Sequence, residues 1–263
     1  MLERCMLRNA LYPIGAIGNS FIRHIHYLLN LIAFCAYLIR ISFTLKNGER
    51  DKFYQRLVQQ IYESGIKNIF IFTIIGLLLG MLAILQIHHQ IAKAMGLGNL
   101  GATLNTVIIK ELSAFIPAIF VILSSGVSVT SDIGHMNSIG RLDISDEGIR
   151  LNILPRFWAI MICIPSLLIY FDITSLLGGY LLANLIAEIP FPSFYDSLTQ
   201  AINISDFALS IIKAIIFALI IATISIYQGL KEGKNNISDA AIYCLFYCFI
   251  LDIIISVISY LPG

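Results

Sequence analysis

Charge is what this sequence has least of. Only 13% of its 263 residues are Asp, Glu, Lys or Arg, while 58% are hydrophobic. An ordinary soluble domain carries about 25% charged residues. Too few polar residues remain to clothe a water-facing surface, so the outer face meets lipid. The net charge of +1 favours neither nucleic acid nor an acidic ligand, and there is no basic patch with interleaved aromatics to recognise RNA or DNA.

Other absences exclude chemistries. His88-His89 is not followed by anything like H-E-x-x-H, and Ser124, Ser125 and Ser128 lack both G-x-S-x-G and a nearby histidine. These serines read as groups bonded to helix carbonyls. No G-x-x-x-x-G-K-[ST] occurs, so the chain does not bind ATP through a P-loop of its own. Of the five cysteines, Cys35, Cys163, Cys244 and Cys248 lie in apolar stretches, where cysteine acts as a small hydrophobe. Cys244 and Cys248 share a helix face, but no His or carboxylate joins them at ligand spacing, and neither metal nor cofactor is expected. The N-terminus shows no cleavable signal, because Arg23, His24 and His26 interrupt its first apolar stretch.

What is present is a series of apolar stretches. A spanning helix needs about 20 predominantly apolar residues. Five stretches qualify: Ile66 to Ile87, Val107 to Thr130, Leu154 to Glu188, Phe207 to Gln228 and Ala240 to Leu261. Tyr27 to Leu45 is apolar but interrupted by Asn30 and Arg40, and reads as a helix lying in the cytoplasmic interface or entering the membrane only part way. The expected fold is therefore an all-α membrane protein with about five transmembrane helices and an N-terminal interfacial helix. Its expected division is 1–52, a cytoplasmic or interfacial helical segment, and 53–263, the membrane domain.

Leu154 to Glu188 is long for one crossing, since 35 residues extend roughly 50 Å against a core of about 30 Å. It is either one long helix bent at Pro165 or two segments broken near Asp172 and Gly178-Gly179. The basic residues favour one helix. Nine of the 17 Lys and Arg lie at or before Lys67. Arg141, Arg150 and Arg156 fall between the second and third stretches, and Lys231 and Lys234 between the fourth and fifth. The alternate connections hold only Lys93, or nothing basic. With the basic side cytoplasmic, the N-terminus is inside and Gly263 ends outside.

Ionisable residues at membrane depth are costly and point to function. Lys110 and Glu111 open the second span, Asp206 and Lys213 sit seven apart on one face of the fourth, and Asp252 lies in the fifth. All fall at similar outer-leaflet depth. They either neutralise one another and lock the helices together, or form a polar belt around an outward-open cavity that meets a lipid headgroup. Asp172 has no obvious partner in sequence. Gly76 and Gly80 form a G-x-x-x-G face, suited to a dimer contact or to packing within the chain.

Several segments together resemble a known family, the MlaE/YrbE permeases of bacterial lipid-transporting ABC systems, which have chloroplast relatives. From about Phe53 onward the landmarks run in order: Gln60-Ile61-Tyr62-Glu63-Ser64-Gly65, Gly80-Met81, Leu85-Gln86, and Lys110-Glu111-Leu112 where the family has Arg-Glu-Leu. Pro155-Arg156-Phe157-Trp158-Ala159, Pro165, Gly178-Gly179, Asp206, Lys213, Phe217, Gly229 and Asp252 follow. The resemblance implies a homodimeric permease above a cytoplasmic ABC ATPase and beneath a periplasmic MCE-domain protein. It implies phospholipid moving through an outward-facing cavity in the bacterial inner membrane. The family's charged positions match Lys110, Glu111, Asp206, Lys213 and Asp252, which puts the cavity ahead of simple neutralisation.

The departures lie elsewhere. Where the family has G-R-x-G-S-A-x-x-A-E, this chain has Ser124 for the arginine and Asp132 for the glutamate. Ile133-Gly134 and Met136 remain, Gly140-Arg141 replaces E-Q, and the segments before Pro155 and after Gly229 are short. Both short segments face the expected ATPase. The resemblance implies coupling through a helix from about Ile133 to Ile149, using Asp132, Gly134, Met136, Arg141, Asp143, Asp146 and Glu147. The rival readings are an ATP-independent carrier or channel using its intramembrane carboxylates, and a non-transporting assembly subunit.

Overall fold

The computed structural model describes residues 26–43, 50–94, 105–140, 145–188, 190–201, 203–231 and 236–260. Among these residues every regular element is helical. That follows from the solvent: lipid offers no hydrogen bonds, so each backbone group must be satisfied within its own segment.

The chain divides into two compact units, 1–44 and 45–263. The first contains α1 (His26–Ser42), an apolar helix shorter than a full span. Leu31, Cys35, Leu38 and Ile41 recur on one of its faces.

The second unit has five helical stretches long and apolar enough to cross a membrane: Arg50–Gln86, Ile108–Ser138, Asp146–Ile186, Ile204–Leu230 and Ile237–Ser259. The first starts with the amphipathic α2 (Arg50–Ile61), passes through a π-helical turn at Tyr62–Ile66, and continues as α3 (Ile69–Ala94). The second combines a π-helical segment Asn105–Leu112, α4 (Ser113–Val121), a second π-helical turn Ile122–Gly126 and α5 (Val127–Ser138). Pro117 lies inside α4 and cannot donate a backbone bond, one source of irregularity in this span.

The third span is dominated by a single helix, α6 (Leu154–Ala187), with Pro155 at its start and Pro165 inside it. One long helix, as the basic residues indicate, is therefore what forms. It ends at Glu188, whose φ of 51° leaves the helical region. α7 (Phe191–Ala201) is a short amphipathic helix; α8 (Ile204–Leu230) and α9 (Asn236–Tyr260) complete the unit.

α8 is the centre of the bundle and touches α4, α5, α6 and α9. Its residues 221–226 are buried on every side, as an interior helix requires. α3 packs along α6 through small residues. An added Cβ at Gly80 would stand 1.8 Å from the Ser175 carbonyl oxygen, and one at Gly178 would stand 2.2 Å from that of Leu77. The two backbones are in contact there. Gly76 belongs to the same seam, facing Thr174 and Phe171. The G-x-x-x-G face of the first span is thus occupied within the chain, by α6.

The expected helix from Ile133 to Ile149 is not continuous. α5 ends at Ser138, where Gly140 turns to a φ of +64° and its N–H caps back onto the Asn137 carbonyl. A new helical turn starts at Asp146, with Ser145 Oγ accepting from the Gly148 N–H at 3.3 Å.

Candidate functional site

The second unit carries two polar assemblies at opposite ends of its bundle. The first joins spans two, four and five. The π-helical segment Asn105–Leu112 presents Lys110 and Glu111, the first turns of α8 present Asp206, Ser210 and Lys213, and α9 presents Asp252 and Ser256. Lys110 Nζ pairs with Asp206 Oδ1 at 3.2 Å. Lys213 Nζ reaches Asp252 Oδ1 at 3.1 Å, and donates to Ser256 Oγ at 2.8 Å and to the Lys110 carbonyl at 3.2 Å. Ser256 Oγ in turn donates to Glu111 Oε2 at 3.0 Å. Ser210 Oγ binds the Ile109 carbonyl at 2.6 Å, fixing α8 against the start of span two.

All five charged positions singled out in the sequence therefore enter one network. The lysine at its heart is fully committed. An ammonium has three donors, and Lys213, 1% exposed, meets an acceptor with each. Burial of an ion is tolerable only with such partners. The Lys110–Asp206 pair is more open, with side chains 31% and 15% exposed. The network is closed around Lys213 and more open at Lys110. With two cations and three carboxylates its formal charge is −1.

Ser210 and Ser256 were missed by a search for charges alone. A signal existed: each follows an acidic residue, Asp206 or Asp252, by four positions and so shares its helix face.

The second assembly lies at the other end, where α2, α5 and the start of the third span meet. Arg156 Nη2 faces Asp132 Oδ2 at 3.6 Å. Arg56 Nη1 donates to the Leu151 carbonyl at 2.7 Å and bonds Asn152 Oδ1. Gly134 lies against the Gly229 carbonyl, 3.7 Å from an added Cβ, and Met136 lines a cavity beside Arg156. Thr130 Oγ1 donates to the Ser225 carbonyl at 3.0 Å, and Asn137 Nδ2 to that of Leu230 at 3.2 Å. Asp146 and Glu147 are exposed at the start of the third span. Arg141 and Asp143 lie outside the described residues, as do the side chains of His88 and His89.

Two further features concern the middle of the bundle. Ser125 Oγ donates to the Ser64 carbonyl at 3.2 Å, so the two π-helical turns of spans one and two are stitched together. Asp172 is 6% exposed and its carboxyl faces the equally buried Ser113 hydroxyl of the second span, without a well-formed hydrogen bond between them.

Comparison with known proteins decides the family. The family model described as "Permease MlaE" matches residues 57–260. The chain belongs to the MlaE permease family. A probable ABC transporter permease protein, ycf63, from Pyropia yezoensis is 26% identical over 210 residues, covering 76% of this chain and 80% of the relative. The intermembrane phospholipid transport system permease protein MlaE of Haemophilus influenzae is 27% identical over 183 residues, 68% of this chain and 70% of its own length. A probable ABC transporter permease protein of Rickettsia bellii is 22% identical over 187 residues, covering 70% of this chain and 72% of the relative. This MlaE-family chain is accordingly a multi-pass ABC transporter permease subunit.

Proposed function

We propose that this permease moves phospholipid between the bacterial inner membrane and a periplasmic MCE-domain partner, driven by ATP hydrolysis in a separate cytoplasmic subunit. The observation that carries the reading is the network of Lys110, Glu111, Asp206, Lys213 and Asp252, assembled from three spans at one end of the bundle. Fixed charges at membrane depth offer a zwitterionic or anionic headgroup a polar path that lipid tails do not. The Haemophilus influenzae relative is named for intermembrane phospholipid transport, and its likeness to this chain supports the same cargo.

The concentration of basic residues supports a cytoplasmic N-terminus, which puts the network on the outer side beside the MCE partner. Residues 1–52 form a cytoplasmic or interfacial segment, and residues 53–263 the permease domain. Two copies pair as a homodimer, for which the exposed apolar flank of α9, with Phe246, Phe249 and Ile253, supplies surface. The ATPase docks on the opposite end, against Asp132, Gly134, Met136, Asp146 and Glu147, with Arg141 and Asp143 in the connecting segment.

The test is gentle purification of the tagged chain from its native membranes, with mass spectrometry of everything that copurifies. An ATPase subunit, an MCE-domain protein and bound phospholipid are expected. Recovery of the chain without an ATPase would remove the coupled-transport reading.

A further inference from the structure

At the end of the bundle opposite the charge network, a cavity of about 220 Å³ lies between α2 and the start of the third span. Arg56, Gln59 and Gln60 line it from α2, and Asn152, Pro155 and Arg156 from the other side. Its donors outnumber its acceptors. Arg156 Nη1 is buried and has no hydrogen-bond partner. Its Nη2 meets Asp132 only at 3.6 Å, beyond the 2.7–3.2 Å range of an N–H···O bond. Arg56 stands near enough to Arg156 for the two guanidinium groups to repel one another.

The acidic groups nearby do not fill this need. Asp132 is half exposed and approaches one nitrogen from one side. Glu63 attracts Arg156 from a distance, but it is exposed and accepts from Gln59 Nε2 and Gln60 Nε2, each at 3.1 Å. It is not among the residues that line the cavity and leaves that lining to the arginines. The group that would satisfy them is an anion with acceptor oxygens on several faces, because it must meet Arg156 together with the part of Arg56 not bonded to Leu151 and Asn152. A carboxylate presents one planar edge; a tetrahedral phosphate presents several.

We infer that this cavity is a phosphate-binding site, in which Arg156 and Arg56 clasp the phosphate group of a phospholipid headgroup or a free phosphate. Glu63 and Asp132 repel excess negative charge, so a singly charged phosphodiester suits the site better than a doubly charged monoester. The site shares Met136 with the surface proposed for the ATPase, and Asp132 of that surface pairs with Arg156, so an occupant there bears on the fit of that subunit. The inference stands on the cavity's own residues, and does not depend on which substrate meets the network at the other end.

The full-length chain, purified in detergent with its partners, is examined by native mass spectrometry for retained phosphatidylglycerol and for displacement by inorganic phosphate. Wild type retains the lipid, and Arg156→Gln retains it about tenfold less, the loss expected for a charged hydrogen bond. Arg156→Lys keeps an intermediate share. Gln59→Glu alters an exposed rim residue, leaves the fold intact and lowers retention. Displacement by millimolar inorganic phosphate identifies a free phosphate as the occupant, and resistance to it identifies a lipid headgroup; both support the site. Lys52→Gln, which removes an exposed cation of α2 outside the cavity lining, leaves this retention unchanged, which separates loss of the site from a general loss of positive charge. Equal retention by wild type, Arg156→Gln and Gln59→Glu, with no effect of phosphate on any of them, would overturn the inference.

Discussion

Lys213 and Asp252 meet at 3.1 Å between α8 and α9, with the lysine 1% exposed. Their pairing joins the central helix of the bundle to the least buried of the five spans. Ser256 extends the contact to Glu111 on the second span. The charges thus do mechanical work as well as offering a polar surface.

Removing one partner should therefore harm more than removing both. Lys213→Met leaves Asp252 buried beside an unfilled donor position, at a cost of about 3–5 kcal/mol. Lys213→Met with Asp252→Leu should recover much of that loss. Thermal unfolding in detergent of the two single variants and the double variant checks the sign of the coupling. Equal losses that simply add would show that the pair is energetically idle.

The Lys110–Asp206 pair is partly exposed, so its effect on stability should be small, about 1 kcal/mol or less. Its expected role is in transport. Lys110→Glu should lower lipid movement, and the exchange Lys110→Asp with Asp206→Lys should restore part of it. A lipid-transfer assay at matched protein levels reads this directly.

At the seam of α3 and α6 the expectation is steric. Gly80→Ala sets a methyl group 1.8 Å from a carbonyl oxygen, and no side-chain rotation can relieve it. The helices must separate, costing about 3 kcal/mol or more. Gly134→Ala, whose methyl would lie 3.7 Å from the Gly229 carbonyl, should be tolerated. Unfolding temperatures for the two variants should differ by well over the scatter of the measurement.

Asp172 offers the opposite case. Its carboxyl faces the Ser113 hydroxyl without a well-formed hydrogen bond, so its burial is unfavourable. Asp172→Asn should leave the unfolding temperature unchanged or raise it, whereas Asp252→Asn should lower it. A large loss of stability in Asp172→Asn would reveal a partner that this conformation does not display.

Asp146 and Glu147 are exposed, so their reversal to lysine should spare the fold. If they face the ATPase, the double change should reduce the amount of ATPase recovered with the chain. Unchanged recovery would move the docking surface away from the start of the third span.

Much of this architecture was legible in the sequence because lipid imposes a simple rule: apolar stretches of sufficient length become helices. The five charges were legible for the converse reason, that they stand out against an apolar background. Helix limits were not. Hydropathy marks Ile66 as a beginning, yet the helical stretch starts at Arg50, because backbone hydrogen bonding continues into the interface where polar side chains are welcome. The break at Gly140 was missed, since a single left-handed glycine stops a helix without altering hydropathy. Ser210 and Ser256 were missed for being neutral. Whether Gly76 and Gly80 face another copy or their own chain is a question of which helix lies beside them, and one helix's sequence does not contain the answer.

The most direct test of the account is reconstitution of the purified permease with the proposed ATPase and MCE-domain partners in liposomes, following transfer of a labelled phospholipid. Transfer should require both the ATPase subunit and hydrolysable ATP, and an assembled Lys110→Glu complex should transfer lipid markedly more slowly. Lipid transfer at full rate without ATP, or wild-type transfer by the Lys110→Glu complex, would contradict a coupled permease that works through this charge network.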